Sequence, residues 1–212
     1  MAPPAQTVRK RGRRQGGPVP RDAVLAAAKR RFADQGYEKT TLRQIADDAG
    51  VDPSMVSYLF GSKNELFRES LKLIIDPESL VAAMAGPPDQ IGLRLSRVYL
   101  QIWEGPDTGP TMAAMLASAT SNNDAHEAFR DFMQGYVLTA VSEALGSGPD
   151  TRLRAMLAAT NLVGTALLRY VMKIGPLADV SADELLAMLA PCVQRYLTAD
   201  VEELGLPAGY RA

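Results

Sequence analysis

The sequence contains few of the side chains that bind metals or form disulfides: of its 212 residues, one is a cysteine, Cys192, and one is a histidine, His126. A single cysteine excludes an internal disulfide and a thiolate metal cluster, and it fits a reducing compartment. A single histidine excludes metal sites built from several imidazoles. Residues 70–212 carry no enzyme motif. We therefore expect no metal, no cofactor and no enzymatic activity.

Long apolar runs and strand patterns are also missing. Charge-free stretches such as residues 111–123 are rich in small residues and fall far short of the roughly 20 strongly apolar residues of a membrane span. The basic residues 9–14 lead into Gln15-Gly16-Gly17-Pro18 instead of the apolar core of a secretory signal. No alternating strand run reaches five residues. We expect an all-α, cytoplasmic protein that does not bind membranes.

The charges are unevenly distributed, although Lys and Arg number 23 and Asp and Glu 24. Residues 1–63 hold 12 basic and 6 acidic side chains, whereas the remainder holds 11 and 18. This asymmetry is typical of a chain that binds a polyanion through one part only. Residues 1–19 have almost nothing to bury, so they are predicted to form a disordered basic arm.

Three helix-start signals follow one another in residues 41–65. Capping boxes are present at residues 41–44 and 62–65. Between them, Gly50 accepts the positive φ of a tight turn, and Asp52-Pro53 supplies an N-cap with proline at the first helical position. This order predicts a helix-turn-helix, followed by a long helix that begins at Ser62.

Residues 20–70 resemble the DNA-binding module of TetR-family transcriptional regulators. The resemblance rests on the segment 41–63, which reads TLRQIADDAGVDPSMVSYLFGSK. Its Thr-x-Arg-x-Ile-Ala, Ala-Gly-Val and Phe-x-Ser-Lys elements, with the following Glu-Leu, occur in the family's order and spacing. The family's second short helix enters the major groove of DNA. This sequence departs from the family at Ser57, where an aromatic residue is usual.

The resemblance implies that Arg43 reaches a base edge and that Thr41, Tyr58 and Lys63 lie against phosphates. Independently, the guanidinium fork of Arg43 suits guanine O6 and N7. A cation such as Lys63 in the first turn of a helix opposes the helix dipole, and an external anion would remove that conflict. Either residue could instead be a solvated charge, Met55 could merely pack, and the basic arm could remain a solvated tail. The predicted DNA-binding residues are Thr41, Arg43, Pro53, Ser54, Met55, Ser57, Tyr58 and Lys63.

A first helix is predicted from Pro20 or Arg21 to Gly36, and five further helices are predicted after residue 88; with the three that start within residues 41–65, this makes about nine in the chain. The last two, near residues 150–174 and 181–198, are apolar on more than one face, so one face needs a partner. The resemblance implies that they form a four-helix homodimer interface, and a two-fold dimer suits a palindromic operator. Pro191 should kink the last helix or sit at a tolerated break. The predicted interface residues are Leu157, Asn161, Leu168, Leu185, Met188, Leu189, Val193 and Tyr196.

Methionines and aromatic residues recur at helical spacing between residues 89 and 146. Such residues usually form core, and the alternative is an apolar pocket of the kind in which the family senses small molecules. No buried charge is apparent there. The predicted ligand-binding residues are Tyr99, Trp103, Met112, Met115, Phe132, Met133 and Tyr136.

Together these patterns predict a homodimeric regulator that binds a palindromic operator in double-stranded DNA and is released by a small apolar ligand, most simply as a repressor. Its expected parts are the arm at 1–19, a helix-turn-helix domain at 20–66 and a ligand-binding and dimerisation domain at 67–212. One alternative is a DNA-binding regulator controlled by a protein partner. Another is a helical ligand-binding protein without a DNA function.

Overall fold

The computed structural model describes residues 21–146 and 148–210, and every regular element in those ranges is helical. This confirms the all-α prediction, while the predicted arm at 1–19 lies outside the described residues. The N-terminal helices are α1 (Arg21–Lys39), α2 (Leu42–Ala49), α3 (Pro53–Phe60) and α4 (Lys63–Lys72). The C-terminal helices are α5 (Pro77–Met84), α6 (Ile91–Trp103), α7 (Thr108–Ser121), α8 (Asn123–Phe132), α9 (Leu138–Leu145), α10 (Thr151–Ala166) and α11 (Ala182–Thr198).

Two π-helical turns interrupt the regular hydrogen bonding of the C-terminal helices. The turn Met133–Val137 joins α8 to α9, and the turn Leu167–Val171 extends α10. Because α8, its π turn and α9 follow one another without a break, the described residues form ten continuous helical rods. The sequence predicted about nine.

The additional rod is α5. Its start has the same signal as α3: Asp76 accepts hydrogen bonds from the backbone of Glu78 at 3.1 Å and Ser79 at 3.2 Å, and Pro77 takes the first helical position. The predicted long helix from Ser62 is therefore wrong in length, since α4 ends at Lys72 and the chain turns before α5 begins. In α11 the helix continues through Pro191.

An aromatic cluster forms the centre of the N-terminal domain. The rings of Phe32, Tyr37 and Phe67 lie 5.0 to 5.8 Å apart between centroids, two of the pairs edge-to-face. Gly36, with φ of 73° and ψ of 178°, interrupts α1 as predicted and turns Tyr37 into this cluster. This aromatic cluster therefore joins α1, which carries Phe32 and Tyr37, to α4, which carries Phe67.

Two contacts fix the N-terminal domain on the C-terminal one. Ser118 Oγ on α7 accepts a hydrogen bond from the backbone N–H of Tyr37 at 3.1 Å and donates to the carbonyl of Ala114 at 2.9 Å. Helix α4 packs on α8, and Lys72 Nζ lies 5.1 Å from the ring centroid of Tyr136. A displacement of α7 or α8 is therefore expected to shift Tyr37 and α4 in the N-terminal domain.

Helices α6 and α11 approach each other at backbone distance. A Cβ on Gly92 would stand 2.4 Å from the carbonyl of Ala190 and 2.5 Å from the N–H of Gln194, so no side chain fits there. The Gln194 amide bridges the gap, because it accepts from Gly92 N at 2.7 Å and donates to the Pro88 carbonyl at 2.8 Å. No helix in the described ranges is long and apolar enough to cross a membrane.

Candidate DNA-reading surface and apolar cavity

The turn between α2 and α3 has the geometry that the sequence predicts. Gly50 adopts φ of 68° and ψ of 30°, and the N–H of Val51 bonds to the carbonyl of Ala46 at 3.0 Å. Both capping boxes are present, at Thr41 and at Ser62. Asp52 caps α3 and accepts from both the N–H and the hydroxyl of Ser54, at 2.9 and 2.6 Å. Residues 42–60 therefore form a helix-turn-helix.

Six of the eight predicted DNA-binding residues are exposed on or beside this motif. Tyr58 is 84% exposed, an unusual position for a large aromatic side chain. Arg43 is exposed on α2. Met55 is partly buried and contributes less surface. The other exposed members are Thr41, Pro53, Ser54 and Ser57.

Lys63 has a partner that the sequence did not reveal. Its Nζ lies 4.1 Å from the ring centroid of Tyr37, and the Tyr37 hydroxyl donates to Asn64 Oδ1. Burial lowers the pKa of Lys63, while Asp124 and Glu38 act in the opposite direction. Burial also raises the pKa of Tyr37 to about 12. The face of the Tyr37 ring thus holds the ammonium at the start of α4, so Lys63 has a favourable partner within the protein in addition to the predicted phosphate.

The net charge of residues 21–63, the described part of the N-terminal third, is small. Residues 21–63 hold seven basic and six acidic side chains, so the other five basic residues of the N-terminal third lie in the arm. Within the motif, Arg31 forms a two-point ion pair with Asp48, at 2.5 and 2.6 Å, which joins α1 to α2. One acidic residue of the motif is therefore neutralised away from the exposed side.

An apolar cavity of about 100 Å³ lies in the C-terminal domain. Its wall begins at Ile75, directly after α4, and continues over α5, α6, α7 and the α8–α9 rod to α10. All twenty lining residues are aliphatic, methionine or aromatic, and the Tyr99 hydroxyl and the Trp103 indole N–H are their only polar side-chain groups. Such a site suits an apolar molecule.

Four of the predicted ligand-binding residues line the cavity: Tyr99, Trp103, Met112 and Met133. The other three do not. Met115 and Phe132 are fully buried in the core, and Tyr136 packs against Phe132 with centroids 5.3 Å apart. Helical spacing alone cannot separate these two groups, because a cavity wall and a closed core both need apolar residues one turn apart.

A charged cluster that was not predicted from the sequence lies beside Trp103. Tyr170 stacks on Trp103 with ring centroids 5.0 Å apart. The Tyr170 hydroxyl donates to Glu104 Oε1 at 2.7 Å, and the buried Arg169 donates to the same oxygen at 3.1 Å and to the Leu177 carbonyl at 2.6 Å. The expectation that no charge is buried near the aromatic residues is therefore wrong. The π turn at 167–171 carries both Arg169 and Tyr170.

The predicted dimer residues divide into two groups. Leu185, Leu189 and Val193 face inward and are almost completely buried within the chain itself, so they cannot contact a partner in this conformation. Leu168 and Met188 are 42% and 49% exposed. Leu157, Asn161 and Tyr196 are partly buried. Exposed apolar residues that the sequence analysis missed on these two helices and the segment after α10 are Met156, Met172 and Ile174.

No group of three or more potential metal ligands occurs among the residues that the structure describes. The described residues combine an exposed helix-turn-helix, a separate apolar cavity, and a path of packed helices between them. This arrangement offers two surfaces for binding.

Comparisons with known proteins agree with this architecture. The family model described as "Bacterial regulatory proteins, tetR family" matches residues 24–70, and the one described as "Tetracyclin repressor-like, C-terminal domain" matches residues 89–197. The crystal structure of a TetR-family regulator from Streptomyces coelicolor A3 is 34% identical with a TM-score of 0.64, covering 88% of this chain and 98% of that one.

Two further matches extend over most of the chain. The transcriptional regulator BetI from Agrobacterium fabrum is 25% identical over 210 residues, which are 92% of this chain and 93% of BetI. The solved complex of SmeT with triclosan shares the fold, at 19% identity and a TM-score of 0.56, over 82% of this chain and 88% of that one. The resemblance noted in residues 20–70 is confirmed and extends into the C-terminal domain. The chain belongs to the TetR family, and it is a DNA-binding transcriptional regulator rather than an enzyme.

Proposed function

We propose that the chain acts as a homodimeric repressor, which occupies a palindromic operator and leaves it when a small apolar molecule enters the cavity. Occupancy of the operator is the simplest mode of control for a chain that consists of a DNA-reading motif and a ligand cavity. The observation that carries the ligand part of the proposal is the continuous helix that connects the two sites.

That helix is α7. Met112 and Leu116 on α7 line the cavity, and Ser118, half a turn beyond Leu116, holds the backbone N–H of Tyr37. Tyr37 in turn lies under Lys63 at the start of α4. A ligand that displaces the α7 wall would therefore move the residue that positions Lys63. Ile75 offers a second route, because it lines the cavity just after α4 ends.

The DNA part is supported by the exposed side of the helix-turn-helix. Helix α3 presents Ser54, Ser57 and Tyr58 as exposed side chains, and Arg43 is exposed on α2. We assign base contact to Arg43 and backbone contact to Thr41, Tyr58 and Lys63, because phosphate contacts position a protein on the duplex and base contacts specify the sequence.

The dimer is supported by the exposed apolar residues of the last two long helices. Met156 and Leu168 lie along the outer side of α10 and its π turn, and Met188 lies on the outer side of α11. Apolar side chains exposed on two neighbouring helices are typical of an interface. We assign the interface to this surface, and we expect two copies to place their α3 helices about 34 Å apart, one turn of DNA.

Release of DNA by a ligand requires different affinities for the two forms of the protein. A 5- to 150-fold loss of operator affinity corresponds to about 1–3 kcal/mol of coupling. Because coupling is reciprocal, binding of the operator must lower the affinity of the protein for the ligand by the same factor. This equality can be measured.

Trp103 provides the measurement, since it is the single tryptophan and lines the cavity. An operator is first selected from random duplex DNA. Compounds that release the protein from it are then titrated against Trp103 fluorescence, with and without the operator. We expect one dissociation constant for the fluorescence change and for DNA release, and a matching loss of ligand affinity on DNA. Compounds that release DNA without any response of Trp103, or with affinity unchanged in Trp103→Phe and Met112→Ala, would contradict a role for the cavity.

A further inference from the structure

The cavity wall contains one hydroxyl that has no partner. Tyr99 is only 8% exposed, and its Oη, fully buried, makes no hydrogen bond in the structure. A buried donor without a partner is destabilising, because it has lost its hydrogen bonds to water. The other lining side chains are apolar, apart from the Trp103 indole, so no side chain of the wall offers this hydroxyl an acceptor.

The hydroxyl keeps its proton at neutral pH and can act as a donor. Burial is the main cause that raises the pKa of Tyr99 far above its ordinary value. A phenol that keeps its proton can satisfy an oxygen acceptor on a ligand. An apolar wall with one protonated donor therefore selects for a molecule with one acceptor.

The charges near this end of the cavity decide what kind of acceptor fits. Tyr170, Arg169 and Glu104 all act on the Tyr99 hydroxyl, but Arg169 and Glu104 are paired with each other and Tyr170 donates to Glu104 as well, while Arg169 Nε has no partner. A ligand carboxylate would therefore meet a compensated ion pair and a buried apolar wall, where an additional charge is costly. A neutral oxygen carries no such cost.

We propose that the ligand of the cavity is an apolar molecule with one neutral hydrogen-bond acceptor, such as a ketone, ester or amide carbonyl, and that Tyr99 Oη donates to it. This inference rests on the proposed function, because it names the class of ligand for the same cavity. It makes Tyr99 the residue that distinguishes such a ligand from a hydrocarbon of equal size.

Three probes with ten carbon atoms test the proposal: butyrophenone, butylbenzene and 4-phenylbutyrate. They carry a ketone, no acceptor and a carboxylate. Their dissociation constants are measured by Trp103 fluorescence and by calorimetry with the full chain, its Tyr99→Phe variant and, as a matched control, Tyr136→Phe, which removes a phenol outside the cavity. We expect butyrophenone to bind the wild type most tightly. Tyr99→Phe should weaken butyrophenone about 3- to 10-fold, as loss of one hydrogen bond implies, and leave butylbenzene unchanged, while Tyr136→Phe should change neither.

A second readout needs no ligand. Because Tyr99→Phe removes an unpartnered buried donor, the variant without ligand should melt at the same temperature as the wild type or above it, which also shows that it folds. Tighter binding of 4-phenylbutyrate than of butyrophenone would overturn the neutral acceptor. Equal weakening of butyrophenone and butylbenzene by Tyr99→Phe, or no weakening of butyrophenone, would overturn the role of Tyr99 while the cavity still binds ligands. If none of the three probes binds the wild type, the ligand part of the proposed function fails and this inference fails with it.

Discussion

The two domains satisfy their buried polar groups to different degrees. In the N-terminal domain, Thr40 is fully buried but donates to the carbonyls of Arg31 and Gly36, and Ser70 donates to Leu66. In the described residues, the four buried side-chain atoms without a partner all lie beyond residue 90, on Arg94, Ser96, Tyr99 and Arg169. The DNA-reading domain is closed and internally complete, whereas the other domain has a cavity and unused donors.

This difference agrees with the proposal that the C-terminal domain binds the ligand. A cooperative, fully bonded core keeps the α2–α3 geometry constant, which a reader of DNA requires. A domain with a cavity, two π turns at or next to its wall, and unpaired donors can gain contacts when a ligand enters. The following experiments test that contrast, from the largest expected effect to the smallest.

The largest effect should come from placing a carboxylate inside the C-terminal domain. Leu189→Glu buries a charge in the core and removes a packed leucine, so we expect it to prevent cooperative folding of that domain. Met188→Glu, one residue away but 49% exposed, should leave the fold intact and separate the dimer. Thermal unfolding and light scattering at micromolar concentration distinguish the two. A wild-type monomer, or a Met188→Glu variant that remains dimeric, would refute the assigned interface.

Truncation of a buried side chain should lower the free energy of unfolding more in the N-terminal domain than at the cavity of the C-terminal domain. Phe67→Ala removes a fully buried ring from the aromatic cluster, and we expect a loss of about 3–5 kcal/mol in the free energy of unfolding. Met133→Ala enlarges a cavity that already exists, so its cost should be smaller than that of a closed-core site. Urea unfolding monitored by circular dichroism gives both values. Equal losses would remove the contrast between a closed and an open domain.

The DNA-reading surface should separate sequence reading from general attraction. Arg43→Ala is expected to cost about 1–3 kcal/mol on the selected operator and nothing on random duplexes. Lys63→Ala should weaken both kinds of DNA and lower the salt dependence of binding. Anisotropy titrations at several salt concentrations measure these effects. If Arg43→Ala weakened random DNA as strongly as the operator, Arg43 would be a phosphate contact.

The hydrogen bond from Tyr37 to Ser118, which joins the two domains, should affect the coupling between ligand and operator more than the affinity for ligand alone. Ser118→Ala removes the acceptor for the N–H of Tyr37, and we expect ligand to release less of the operator while ligand affinity in the absence of DNA stays close to that of the wild type. Ser121→Ala is the matched control, because its hydroxyl bonds within α7 to Ala117. The ratio of ligand affinities with and without operator is the measure. An unchanged ratio in Ser118→Ala would exclude the route through Ser118 and Tyr37.

The smallest effect concerns acid. Hydrogen bonds from Ser79 and the backbone of Glu78 lower the pKa of Asp76 at the start of α5. A carboxyl group with a lowered pKa contributes stability above its ordinary pKa of 3.8, and this stability is lost as the pH falls through the folded value. Asp76→Asn keeps a capping side chain without the charge. Its melting temperature should therefore fall less between pH 6 and pH 3 than that of the wild type, and parallel curves would exclude this cap from the acid response.

Much of the helix-turn-helix could be predicted because its signals are local. A capping box, a glycine at the turn and an Asp-Pro start each specify backbone geometry within four residues, and the structure has them at Thr41, Gly50, Asp52 and Ser62. The same rule applied to Asp76-Pro77 would have predicted α5. That signal was present in the sequence and was not used.

The cavity and the outer surface could be predicted only in part, because they depend on contacts between distant residues. Met112 lines the cavity and Met115 does not, although both are buried on α7, and only the placement of α6 and α10 separates them. Likewise, Leu189 and Met188 are neighbours on one helix, and the position of α6 decides which of them is core. The partners of Lys63 and Arg169 lie 26 and 65 positions away, at Tyr37 and Glu104.

Because of the close approach at Gly92, we expect α6 and α11 to move together as one rigid unit. Backbone contact without an intervening side chain, with Gln194 bonded across it, leaves the two helices no room to slide independently. Helix α6 carries Tyr99 and Trp103 at the cavity, and α11 carries Met188 on the outer surface. We expect a displacement of α6 at the cavity to shift α11 at the outer surface, and any substitution at position 92 that separates the two helices to remove this coupling.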